Sequence, residues 1–191
     1  MSNLICTEKM RGLSIKVSVV LLIATVLGFH VGCASTNIWL SAPEKHEVTR
    51  AACTVAFEPI KKDKAFFSLF RLSITNHTDK ALEVDWNKTQ YLFNGKPNGP
   101  FVFKGVDPEN VKNLTIPANS IPAGGLLTMD IAPFRLIAWA PVRDEGRFTS
   151  EAPIAAGYIP PGVSGISLVL RKDGKEETIK MAVTIRKEAA P

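Results

Sequence analysis

Between residues 66 and 94 apolar and polar side chains alternate with a period of two, which restricts this stretch to β structure. Phe66, Phe70, Leu72 and Ile74 fall on one side, with Ser68 as a mild interruption, and Arg71, Ser73 and Thr75 fall on the other. A polar run follows, Asn76-His77-Thr78-Asp79-Lys80, rich in side chains that bond their own backbone and favour turns. Beyond it Leu82, Val84 and Trp86 alternate with Glu83, Asp85 and Asn87. Two half-buried strands about a polar break predict a β-hairpin, the central pair of a β-sandwich.

The same period recurs along the chain. It predicts strands over residues 52–58, closed by Pro59, over 90–94, at Phe101 and Phe103, and at Leu127, Met129 and Ile131. Tyr91, Phe93, Phe101 and Phe103 share a parity on either side of a Gly/Pro/Asn-rich break, so cross-strand aromatic pairs are expected there. Ile166, Leu168 and Leu170, then Ile179, Met181, Val183 and Ile185, flank an Asp173-Gly174 turn. Residues 143–163 form the longest irregular stretch, with Tyr158 near its end. No segment beyond the leader sustains a helical period. About seven to nine short strands with turns at intervals of about 8–12 residues predict an all-β fold, an immunoglobulin-like antiparallel β-sandwich. Trp86 is the candidate core tryptophan between its sheets. The stretch Ser73-Ile74-Thr75-Asn76-His77-Thr78 with Leu82-Glu83-Val84 resembles the strand–corner–strand of extracytoplasmic immunoglobulin-like and fibronectin-like domains. That resemblance implies a fold and no activity.

The first quarter of the chain addresses compartment. Lys9, Arg11 and Lys16 precede an uncharged apolar run over residues 17–29, the order of an export signal. As a helix that run is about 20 Å long, short of the ~30 Å hydrocarbon core. Met10 offers a second start with a shorter basic region. The run ends at His30-Val31-Gly32-Cys33-Ala34-Ser35, which resembles the lipobox of bacterial lipoproteins. Val31 and Gly32 fit the pattern, while His30 stands where an aliphatic residue is usual. The resemblance implies that Cys33 is lipidated and becomes the mature N-terminus, and that the protein lies on the outer membrane, since Ala34 and Ser35 supply no acidic retention signal. A cut by the ordinary signal peptidase and a retained single-pass anchor are the alternatives. The predicted organisation is a signal helix over 1–32, a tether over 33–50, the sandwich over 51–187 and a fraying tail over 188–191. Trp39 in the tether is placed either at the membrane interface or folded back on the sandwich.

Chemistry is sparse by comparison. The formal net charge is +5, with part of it in the leader, and no basic stripe interleaved with aromatics indicates nucleic acid. Lys61-Lys62-Asp63-Lys64 is the densest basic run and reads as a solvated loop. Cys53 alternates with Val55 and Phe57 and reads as a small buried hydrophobe; no cysteine spacing suits a disulfide or zinc. His46 lies in the tether and His77 in a turn, so no shared pocket is indicated. Glu83 and Asp85 share a strand face, the arrangement that can hold calcium or flank a sugar bond, although surface acids commonly alternate this way. The expected function is a non-enzymatic binding or scaffolding module of the cell envelope, with no cofactor and no metal. It would bind the membrane through lipid on Cys33 and an envelope protein through Tyr158, Glu83 and Asp85 or a free sheet edge. A carbohydrate-active hydrolase using Glu83 and Asp85 and a small-ligand carrier are the alternatives.

Overall fold

Twelve strands and two short helical turns build two antiparallel sheets packed face to face in the computed structural model, which describes residues 37–62, 64–137 and 156–190. The leader, Cys33 and the tether as far as Thr36 lie outside these residues, as do residues 138–155 of the long irregular stretch. The first sheet has the order β2 (His46–Thr49), β3 (Cys53–Ile60), β4 (Leu69–Asn76), β10 (Leu126–Pro133), β8 (Phe101–Phe103). In the second, β1 (Asn37–Ala42) pairs with β12 (Lys175–Ala189), and β12 pairs with β11 (Gly162–Lys172). Along the far side of β11 lie β5 (Leu82–Val84), flanked by β9 (Asn119–Ile121), and β6 (Gln90–Phe93), flanked by β7 (Lys96–Pro97).

Alternation translates directly into packing. β3 buries every second residue, Cys53, Val55 and Phe57 among them, and β12 does the same from Ile179 to Ile185. Phe57 stacks on Phe70 at 4.4 Å between ring centroids. Trp86 is 1% exposed, lies 4.6 Å from the Phe103 ring, and its indole N–H donates to Asn119 Oδ1 at 2.6 Å, so it is the tryptophan between the sheets. Burying a side chain of this class contributes on the order of 2–3 kcal/mol. The β11–β12 hairpin turns at Asp173-Gly174, both with positive φ, as the sequence predicts.

The expected hairpin across residues 76–80 is a correction. β4 and β5 belong to different sheets, and β4 pairs with β3 and β10 instead. Asn76 is the physical reason. It is 1% exposed, and its Nδ2 donates to the carbonyls of Lys80 at 2.7 Å, Ile121 at 3.1 Å and Pro122 at 2.9 Å. Its Oδ1 accepts from the Thr78 N–H and hydroxyl. The amide thereby satisfies the carbonyls of a chain crossing from one sheet to the other, so the turn is a corner. Alternation cannot separate the two outcomes, because the inner faces of both sheets select apolar residues at every second position.

The expected tether and tail are also corrected. From Asn37 onward the chain is strand: β1 pairs with β12 in one sheet and β2 with β3 in the other, joined through a cis Ala42–Pro43 peptide. β12 accordingly runs past Lys187 to Ala189, opposite Asn37, because β1 supplies backbone partners for residues predicted to fray. β3 likewise runs through Pro59 to Ile60. The four aromatics do not share one hairpin, since β6 pairs with β7 and β11 while β8 pairs with β10, and of them only Tyr91 and Phe101 are in ring contact among the described residues. Tyr91 and Phe101 lie edge to face at 5.9 Å. One turn of helix that the sequence reading did not expect, α1 (Pro108–Lys112), is capped by Asp107, whose carboxylate accepts from the Glu109 N–H. Phe134–Leu136 forms a 3-10 turn.

Candidate functional site

Three aromatic rings from distant parts of the chain converge at one end of the sandwich. Trp39 sits on β1 directly opposite Lys187 of β12. Phe66 ends the loop between β3 and β4, which is closed by the Lys64 N–H on the Lys61 carbonyl and the Ser68 N–H on the Ile60 carbonyl. Tyr158 precedes β11 and is held by its neighbours: the Gly157 N–H donates to Leu136 O, and the N–H of fully buried Ile159 donates to Phe67 O, both at 2.8 Å. The rings stand edge to face, Trp39 to Phe66 at 6.4 Å, Trp39 to Tyr158 at 6.1 Å and Phe66 to Tyr158 at 6.3 Å. Trp39 is 8% exposed, so it has folded back on the sandwich, whereas Tyr158 is 56% exposed. Together with Asn37, Pro161 and Lys187 the rings line an open groove of about 580 Å³.

Lys187 lines the groove, and two further ammonium groups stand over rings of the adjoining Phe66-Phe67 segment. Lys187 Nζ lies 6.0 Å from the Trp39 ring, Lys64 Nζ 5.4 Å from Phe66, and Lys61 Nζ 5.2 Å from Phe67. Lys64 also donates to the Ala156 carbonyl at 2.9 Å. Among the described residues none of these three lysines pairs with a carboxylate. A cation over an aromatic face keeps its remaining donors free for a ligand while its stem covers apolar surface. The arrangement suits a flat or extended partner carrying negative charge.

Glu83 and Asp85 lie elsewhere, beside the corner. Glu83 accepts from Arg171 Nη2 at 3.0 Å, its neighbour in register across β5 and β11. Asp85 is 7% exposed; its Oδ1 accepts from the backbone of Asn87 at 3.1 Å and Lys88 at 3.3 Å, and its Oδ2 lies 3.9 Å from Arg171 Nη1. One guanidinium thus serves both carboxylates, and Asp85 also caps a turn. Arg171 Nε is buried and has no hydrogen-bond partner among the described residues. A shallow groove of about 440 Å³ passes Arg171, Asp173 and Glu176 above Leu82, Leu170 and Cys53. Cys53 is fully buried, and loss of solvation raises its thiol pKa above the usual 9.0, so it is held in the unreactive protonated form.

The histidines stay apart. His46 on β2 bonds through Nδ1 to the backbone of Ala182, and His77 through Nε2 to Thr54 Oγ1 at 2.8 Å. Among the described residues no three His, Cys, Asp or Glu side chains gather in a way that would hold a metal. Tyr158 is therefore separated from Glu83 and Asp85, and the sequence reading missed that it joins Trp39 and Phe66. Nothing in local spacing could have revealed that trio, since it depends on β1 adding to the edge of β12. Comparison with protein-family models, with curated proteins and with solved structures finds no match.

Proposed function

We propose that this chain is a cell-envelope lipoprotein, anchored through lipid on Cys33, whose immunoglobulin-like β-sandwich is a non-enzymatic binding or scaffolding module. The observation that supports a contact role is the groove at Trp39, Phe66 and Tyr158, where aromatic surface is presented together with lysines that pair with no carboxylate among the described residues. Such groups favour recognition through surface contact. The anchor reading is supported by the basic region, the apolar run and Val31-Gly32-Cys33.

Metabolic labelling with an alkynyl fatty acid tests the anchor. The wild-type chain incorporates label and Cys33→Ser does not. Equal labelling of both, or of neither, contradicts the assignment of Cys33.

A further inference from the structure

We infer that the groove end of the sandwich docks on the anionic headgroups of the membrane that carries the anchor, fixing the orientation of the domain. The inference rests on Cys33 as the point of attachment and then goes further, to which face meets lipid.

Chain length makes the first argument. With residues 37–42 built into β1, the linker from Cys33 to the folded domain is four residues, not the longer tether that the sequence suggested. Four residues reach at most about 14 Å when fully extended. Asn37 itself lines the groove. The headgroup layer is roughly 5–8 Å thick on each side, and the field of an anionic surface persists for about 8 Å at physiological salt. A domain held this closely cannot stand clear of the surface, and the part nearest the attachment is the groove end.

Charge makes the second. Lys61, Lys64 and Lys187 stand at that end over aromatic rings, exposed Lys62 lies beside them, and none is neutralised by a carboxylate among the described residues. Tyr158, more than half exposed, offers the amphipathic ring favoured at the water–lipid boundary. Phosphate groups answer the lysines, and the interfacial zone answers the tyrosine.

The test uses the full chain purified from membranes and reconstituted in vesicles containing phosphatidylglycerol or phosphatidylcholine alone. Amine labelling is read lysine by lysine by mass spectrometry. Docking predicts that labelling of Lys61, Lys64 and Lys187 falls about fivefold or more in the anionic vesicles and recovers in high salt, while exposed Lys175 is unchanged. In the Lys64→Glu, Lys187→Glu double variant the remaining Lys61 should label equally in the two vesicle types. Equal labelling in the two vesicle types overturns the inference, as does protection of these lysines by a soluble oligosaccharide or peptide but not by lipid. Fatty-acid labelling of the same preparation separates the two claims. Lipid on Cys33 without protection ends docking and leaves the anchor, whereas protection by added anionic vesicles without lipid on Cys33 does the reverse.

Discussion

The two ends of the sandwich, about 25 Å apart along β4, handle polar groups in opposite ways. At the corner end ion pairs tie separate elements together: Lys80 with Asp173 at 3.0 Å, Lys88 with Glu176, and Arg171 with Glu83 and Asp85. Asn76 binds three carbonyls there and closes the crossing between sheets. At the groove end the lysines rest on rings and meet no carboxylate among the described residues. Internal satisfaction marks a region that holds the fold together. Charge left over beside exposed aromatic surface marks a region built to meet something else.

That difference can be broken at the corner with the largest effect. Asn76→Ala removes five hydrogen bonds from a buried position and takes the amide donor from the Ile121 carbonyl, so it should cost about 3 kcal/mol in denaturant unfolding. A loss under about 1 kcal/mol would mean that the crossing is held by packing alone. Arg171→Gln comes next. Glu83 is about half exposed, and the contact to buried Asp85 is long at 3.9 Å while that carboxylate keeps the Asn87 and Lys88 N–H donors, so the loss should be about 1 kcal/mol. At the groove end Tyr158→Ala should change stability by only about 0.5 kcal/mol while weakening any contact made there. If Tyr158→Ala destabilised the domain as much as Asn76→Ala, the functional reading of the groove would fail.

Alkaline titration gives a finer view of the core between the ends. Burial raises the pKa of Cys53 above 9.0 and that of Tyr91 above 10.0, the latter opposed by the hydrogen bond to Ser164. Both groups are neutral when protonated, and the unfolded chain loses its protons first. Their contribution is therefore intact below about pH 9 and declines as pH rises through the unfolded values towards the higher folded ones. Cys53→Ala should delay the onset of that decline towards the tyrosine range, measured as unfolding midpoint against pH.

The sequence carries the sandwich because alternation is a local property. β3, β4, β11 and β12, together with Trp86 as the tryptophan between sheets, follow from residues that are neighbours in the chain. The partner of a strand is a different matter. The Asn76 crossing reads like a hairpin break, since turn residues serve both, and only the three carbonyls brought to Nδ2 by the fold distinguish them. β1 was hidden for another reason: of its six residues only Trp39 is buried, so it lacks the alternation that marks its neighbours. Once β1 is in place, Trp39, Phe66 and Tyr158 come together and the tether shrinks. The candidate site thus follows from the least legible strand in the molecule.

Intact mass of the protein purified from membranes tests the central claim most directly. The account predicts a mature chain that begins at Cys33, carries acyl groups, and reverts to an uncut precursor when the lipoprotein signal peptidase is inhibited. An unmodified N-terminus beyond the leader, insensitive to the inhibitor, would contradict it and leave the groove on a domain with no lipid anchor.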